Sequence, residues 1–379
     1  MEQQQGTSGD FGSSYQMDLF GPMGEVRRRG RRGDGIALEP RPEQQASAAS
    51  EKQRPLAYAL MERVCDPTNL NKAYKRVKAN KGAPGIDGMR TTDLRAWLKG
   101  HKEELVESLL GGTYEPDPVR GVEIPKPGGG VRQLGIPTVR DRFVQQAIHQ
   151  VLESILDPTF SERSYGFRPG RRAEDALRQA QADISEGYYV AVDIDVSKFF
   201  DRVHHDRLVA RLARYVGDKH LLRIVRRFLE VGIMQQGVCV RRHKGTPQGG
   251  PLSPLLANLV LDELDKELEE RGHRFCRYAD DVQIYVGSHA AGERVMASIT
   301  RVLEDRLRLK VNLEKSKVAT GTKRTFLGFR LLSGNRLGIA PKRLRRAKAR
   351  IRQITRRNRG VSLERMIREL NSFLGGWLN

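Results

Sequence analysis

RFCRYADDVQIYV, Arg274 to Val286, decides how the chain is read. Apolar and aromatic residues flank two adjacent carboxylates, Asp280 and Asp281. Neighbouring side chains on a strand point to opposite faces, and a charge inside an apolar run is costly to bury without a partner. A hairpin resolves both problems. With Arg274–Ala279 and Val282–Val286 as its strands, both aspartates sit at the tip and project past the sheet edge. Asp is an ordinary turn residue, so a lone Asp-Asp pair is accounted for by a plain turn.

A second strand changes the weight of that pair. In YYVAVDIDVSKFFD, Tyr188 to Asp201, Val190, Val192, Ile194 and Val196 fall on one face. Ala191, Asp193 and Asp195 fall on the other. Strand geometry alone does not choose between Asp193 and Asp195. An outward Asp beside a hairpin carrying two more concentrates negative charge, which is tolerable when cations or protons occupy it. Oxygen ligands suit Mg²⁺. Two such ions about 4 Å apart can clamp the attacking and leaving oxygens of a phosphoryl displacement.

Composition points to the same partners. The 379 residues contain 67 Lys plus Arg and 46 Asp plus Glu, a formal net charge of +21. Such a surface attracts polyanions, nucleic acid first. The three cysteines, Cys65, Cys239 and Cys276, form no C-x-x-C pair, so no zinc site is expected. Few cysteines suit a reducing cytosol, and a cytoplasmic, nucleic-acid-associated protein is expected. No apolar run approaches the roughly 20 residues of a membrane span. No P-loop and no G-x-S-x-G elbow is present. His204 and His205 read as a helix-flanking polar pair.

Outward from these strands, residues 1–54 are rich in Gln, Gly, Ser and Arg and are expected to form a disordered basic arm. Asn69 to Gly88 begins as a helix with Leu70, Tyr74 and Val77 as its stripe, leaving Lys75 and Arg76 outside it. Val119 to Thr138 reads as two short strands around a glycine turn flanked by Lys126 and Arg132. The next helix puts Phe143, Ala147, Ile148, Val151 and Ile155 on its inner side. Pro251 to Glu270 is a long helix, another spans roughly Glu293 to Leu307, and RTFLGFRL is a strand. Pro341 to Arg359 is a basic amphipathic helix striped by Leu344, Ala347, Ile351 and Ile354, offering Arg343, Arg346 and Arg350 to a polyanion. Ser362 caps a last helix carrying Leu363, Met366, Ile367, Leu370 and Phe373. Strands and helices mix without strict alternation, which indicates an α+β fold.

The ordered motifs resemble the reverse transcriptases (maturases) encoded by bacterial group II introns. YADD at Tyr278–Asp281 resembles the polymerase turn, and DVSKFFD at Asp195–Asp201 the first catalytic strand. GTPQGGPLSPLLANLVLDELD, from Gly245, is similar to the template- and primer-contacting segment. IPKPGGGVRQLGIPTVRDR and SYGFRPGRRAEDAL are similar to the fingers, and NLNKAYKRVKANKGAPGIDGM to the N-terminal extension. VNLEKSK (Val311–Lys317) and FLGF (Phe326–Phe329) follow in order. The resemblance covers the chain from about Asn69 onward.

The resemblance implies a right-hand polymerase of fingers, palm and thumb, the palm an antiparallel sheet packed by helices. It implies an N-terminal extension and fingers over 55–187, a palm over 188–335, and a basic helical thumb with the start of a maturase segment, near Trp377, over 336–379. Asp195, Asp280 and Asp281 would be the catalytic residues. With Val196 they would form the metal set for two Mg²⁺ ions, Mn²⁺ being the alternative, and Asp280 is expected to be the firmer ligand. Spacing to Phe-Phe-Asp selects Asp195 over Asp193. Phe200 falls where the family carries an aromatic gate against a ribose 2′-OH. Lys126 and Arg132 would hold the incoming triphosphate, and Gln248 and Gly249 would approach the nucleotide closely. Lys315 or Lys317 would assist proton transfer to pyrophosphate. Lys75, Arg76, Arg343, Arg346 and Arg350 would contact nucleic acid. The implied partners are a structured intron RNA, an RNA template with a DNA primer, and dNTPs. Many members continue into a longer maturase segment and DNA-binding and nuclease domains, whereas this sequence stops at GGWLN, so no target cleavage is expected of it. The alternatives are a non-catalytic RNA-binding splicing cofactor on a retained polymerase fold, a domesticated reverse transcriptase not tied to an intron, and an RNA-dependent RNA polymerase. Intact carboxylates argue against the first and Phe200 against the last.

Overall fold

The computed structural model describes residues 57–125, 130–235, 238–240, 244–245, 249–332 and 336–378. In chain order, α1 (Leu60–Val64), α2 (Pro67–Asn80) and α3 (Leu94–Leu110) precede strands β1 (Val119–Pro125) and β2 (Val131–Ile136). Helices α4 (Val139–Leu156) and α5 (Ala173–Ser185) lead to β3 (Val190–Asp195), then α6 (Phe199–Arg202), α7 (His205–Leu212) and α8 (Lys219–Glu230). Short strands β4 (Ile233–Gln235) and β5 (Val238–Val240) precede α9 (Ser253–Glu270), β6 (Arg274–Tyr278), β7 (Asp281–Val286) and α10 (His289–Arg301). The chain continues through β8 (Lys317–Thr320), β9 (Phe329–Leu332), β10 (Arg336–Ile339), α11 (Pro341–Ile354) and α12 (Leu363–Leu378).

The chain packs as two units that interleave along the sequence. Of the described residues, one unit comprises those up to Leu152 with 212–240 and 249–251. Its sheet runs β2-β1-β4-β5. The expected hairpin is there: β1 and β2 pair antiparallel, Arg120 opposite Ile136 and Pro125 opposite Val131. Helix α2 starts because Pro67 fixes its first turn and the Asp66 carboxylate accepts from the Thr68 and Asn69 amides. It buries Leu70, Tyr74 and Val77, as its spacing requires. On α4, Phe143, Ala147, Ile148 and Val151 are buried, but Leu152 and Leu156 complete the inner side while Ile155 is only half-buried. The 3.6-residue period carries the stripe through those positions.

Of the described residues, the second unit comprises Glu153–Arg211, 244–245 and those from Leu252 to 378. Its sheet has the order β6-β7-β3-β8, all antiparallel. On one face, Ala191, Cys276 and Tyr285 pack with Ala176, Leu177 and Ala180 of α5. On the other, α10 approaches so closely that a side chain on Gly292 would meet Val318, Val192 and Val190. Both faces of β3 are therefore covered, and its run of Val, Ala and Ile is buried throughout. Helix α10 begins at His289, earlier than periodicity predicted, because Ser288 caps it by accepting from the Ala291 amide.

In α11, Ala347 and Ile354 are buried, whereas Leu344 stays 38% exposed. Ser362 accepts from the Arg365 amide at the start of α12, as expected of a cap. The apolar stripe of α12 remains open, with Leu363 70% and Ile367 48% exposed. Among the described residues, no helix is long and apolar enough to cross a membrane.

Candidate active site

The β3–β7 ladder sets Asp195 directly opposite Asp281. Opposed residues of an antiparallel pair project from the same face, so this register brings two carboxylates together. Asp280 lies in the tight β6–β7 turn, half-buried. One expectation is corrected here. Asp281 is not at the hairpin tip; it is the first residue of β7, opposite Tyr278 on one side and Asp195 on the other. The turn proper is Ala279-Asp280, and Ala279 takes the left-handed conformation (φ 57°) that a two-residue hairpin connection demands.

The electrostatics reflect this crowding. The Asp281 carboxyl, open to solvent on one side, is pushed up to about 6, by burial first and then by the charges of Asp280 and Asp195. Lys315 Nζ lies 3.6 Å from Asp195 Oδ2. The segment bearing it wraps the end of β3: the Asn312 amide donates to the Asp195 carbonyl (2.8 Å), and the Asp195 amide donates to Ser316 Oγ (3.0 Å). Lys317 lies elsewhere, on β8 opposite Asp193. Asp193 forms an ion pair with Arg324. Two aspartates that share a strand face thus have different partners.

Among the described residues no group of three or more His, Cys, Asp or Glu side chains is placed to hold a metal ion. The carboxylates are coupled electrostatically without forming a three-donor cage. Their chemistry nevertheless fits a hard divalent cation: Mg²⁺ takes one or two carboxylates and fills its shell with water and substrate phosphates. Val196 contributes no ligating side chain; it is buried and bridged to Val311, so only its carbonyl could serve.

Phe199 is core, and Phe200, edge-on to it at 5.2 Å, is half-buried. Gly245 (φ 90°) lies against the Phe200–Asp201 backbone, where a side chain would come within 2.7 Å of the Phe200 carbonyl. His205 Nε2 lies 2.6 Å from the Gly245 carbonyl, so this histidine is structural, in keeping with a polar pair beside a helix.

In the other unit, Arg132 is exposed on β2 opposite Ile124. Gly249 (φ 136°) packs so tightly on the Gly135 carbonyl that a side chain would come within 2.5 Å of it. Lys75 and Arg76 are exposed on α2. Lys126 and Gln248 lie outside the described residues, as does the basic arm. Arg346 and Arg350 are exposed on α11, but Arg343 stacks over the rings of Phe329 (4.8 Å) and Trp377 (5.6 Å). Arg343 is therefore a packing residue as well as a charge.

Sequence reasoning missed what lies beneath the turn. Arg277 and Asp265 are both completely buried and ion-paired at 2.6 Å. Asn258 and Ser164 also bond to Arg277. The one signal available was an Arg placed among the inward residues of an apolar strand, which demands a buried partner.

Residues 124–331, more than half of the chain, match the family "Reverse transcriptase (RNA-dependent DNA polymerase)". Residues 344–379 match "Group II intron, maturase-specific domain", which begins well before Trp377, within α11. Protein YkfC of Escherichia coli is 33% identical, the match covering 72% of this chain and 82% of that protein. The group II intron-encoded protein LtrA of Lactococcus lactis is 34% identical over 54% of this chain, which spans only 34% of LtrA. A chain of a partial Cas6-RT-Cas1–Cas2 complex is 25% identical, with a TM-score of 0.41, covering 65% of this chain and 43% of that one. The chain belongs to the reverse transcriptases (RNA-dependent DNA polymerases) of the group II intron maturase type.

Proposed function

We propose that the protein extends a DNA primer on an RNA template, with Asp195, Asp280 and Asp281 as its catalytic carboxylates. The observation that carries this reading is the register that opposes Asp195 to Asp281 beside the Ala279-Asp280 turn. In this reading 55–187 are N-terminal extension and fingers, 188–335 palm, and 336–379 thumb with maturase segment, in a right-hand polymerase.

The three aspartates, with the Val196 carbonyl, would hold two Mg²⁺ ions, which when bound lower the charge cost of primer attack and pyrophosphate departure. The protein's own groups do the rest. Phe200 closes the space a 2′-hydroxyl would need, selecting deoxynucleotides. Arg132 and Lys126 take the triphosphate through charge-assisted bonds. Gln248 and Gly249 let backbone approach the nucleotide, Gly249 because it carries no side chain. Lys315, the lysine beside Asp195, delivers a proton to the departing pyrophosphate. Lys75, Arg76, Arg346 and Arg350, with Arg343, hold RNA mainly by phosphate and shape. The structured RNA is that of a group II intron, whose splicing and mobility the protein assists in the bacterial cytosol.

Primer extension on an RNA template with Mg²⁺ and dNTPs tests the reading. The intact protein makes cDNA and Asp280→Ala does not; an intact, folded protein that makes none overturns it.

A further inference from the structure

We infer that Arg277 is a positioning residue for the polymerase reaction: its buried guanidinium fixes the Ala279 carbonyl, and so the backbone that presents Asp280 and Asp281. The inference rests on the polymerase reading above.

Its donors are fully committed. A guanidinium offers five N–H groups in a planar fork. Arg277 Nε donates to Asp265 Oδ1 (2.7 Å), with Oδ2 at 2.9 Å. Nη2 donates to Asp265 Oδ2 (2.6 Å) and to Ser164 Oγ (2.6 Å). Nη1 donates to Asn258 Oδ1 (2.8 Å) and to the Ala279 carbonyl (2.9 Å). Neutralising a buried charge needs only Asp265. The Nη1 bonds are additional, and one of them reaches the residue before Asp280.

Ala279 is where a hold is needed. Its left-handed backbone costs about 1 kcal/mol for a residue other than glycine, and strained residues persist only when their surroundings over-determine them. Arg277 supplies one side of that constraint. Gly166 supplies the other: a side chain there would come within 2.3 Å of the Ala279 amide nitrogen and 2.9 Å of the Tyr278 carbonyl carbon. Asn258 Nδ2 donates to the Gly166 carbonyl (2.8 Å) and so closes a ring through Arg277, Asn258, Gly166 and Ala279. The strand itself is pinned by Tyr165 N to Arg277 O (2.9 Å) and Arg277 N to Arg163 O (3.0 Å). Helix α9 and residues 163–166 thereby grip the turn, and the grip passes through one fork-shaped side chain. A lysine brings a point charge on a flexible stem and cannot span Asp265, Asn258, Ser164 and Ala279 together.

The test uses the full chain and two variants. Arg277→Met/Asp265→Leu replaces the pair by apolar side chains of similar size, which buried ion pairs often tolerate. Arg277→Lys keeps the charge and loses the fork. For each folded variant, single-turnover dNTP incorporation, KM for dNTP, primer–template affinity and the Mg²⁺ midpoint are measured. Expected is a fall in kcat of about 10–100-fold with a raised Mg²⁺ midpoint, as when groups supporting metal ligands are removed. KM and primer–template affinity stay near wild type, because the altered contacts lie beneath the turn. A folded variant with wild-type kcat and Mg²⁺ midpoint overturns the inference. So does a loss of rate matching only the loss of folded protein. Wild-type protein that makes no cDNA in the same assay instead removes the polymerase reading itself.

Discussion

Asp195 and Asp281 oppose each other across the β3–β7 ladder, and burial, with the charges of Asp280 and Asp195 adding to it, raises the Asp281 carboxyl to about 6. Like charges in register destabilise a sheet. The arrangement weakens the local fold and favours a cation.

That conflict predicts a separation of stability from activity. Asp281→Asn removes one of the repelling charges, so its melting temperature, followed by circular dichroism at pH 7, should equal or exceed that of wild type. Primer extension by the same variant should fall by at least about 10³-fold, a loss of about 4 kcal/mol in transition-state stabilisation. A stable Asp281→Asn protein that still polymerises would remove Asp281 from the catalytic set.

Phe200 is half-buried against Phe199. On the proposed reading, Phe200→Ala opens the space that a ribose 2′-OH would enter, while the Phe199 core remains. Competition between dNTPs and NTPs should show discrimination reduced by about 10–100-fold, the scale of a steric pocket difference. Unchanged discrimination would make Phe200 a packing residue only.

The α11 arginines should divide into two kinds. Arg346 and Arg350 are exposed, so replacing both by Ala should weaken RNA binding and flatten its salt dependence by roughly 1–2 units of log K against log salt. Arg343 lies over the Phe329 and Trp377 rings. Arg343→Ala should therefore also lower stability by about 0.5–1 kcal/mol. Filter binding over a salt series and thermal denaturation separate the two effects.

His149 makes a prediction about pH. Burial, with the Arg76 charge adding, pushes its imidazole down from 6.5 to about 4. The folded state keeps it neutral, so its contribution is fully present above pH 6.5 and is lost as pH falls toward 4, by at most about 3 kcal/mol. Asp141 acts in the opposite sense: burial raises it from 3.8 to about 6, so falling pH through that window favours the fold. Melting curves of wild type and His149→Gln from pH 7.5 to 4.5 isolate the histidine. Wild type should lose stability more steeply below pH 6.5; parallel curves would contradict the buried neutral imidazole.

The sequence by itself determined much of the framework. Alternating Val and Ala marked β3, the YADD turn marked the β6–β7 hairpin, and periodic stripes marked α2, α4 and α11, because side-chain period is a local property of the backbone. The ordered motifs also identified the family. Local pattern went astray where a neighbour decided the outcome: Asp281 joined a strand because Asp195 and Tyr278 flank it.

The family motif's spacing chose Asp195 over Asp193, but only the tertiary structure supplied the physical reason. Asp193 and Asp195 share a face and a period, so the strand pattern treats them alike. The ion pair of Asp193 with Arg324, 131 residues away, commits the first, and the ladder leaves the second opposite Asp281. The grip of Arg277 on Ala279, through Asp265, Asn258 and Ser164, was hidden for the same reason. Ion pairs and buried hydrogen bonds join residues distant in sequence, and no local period records them.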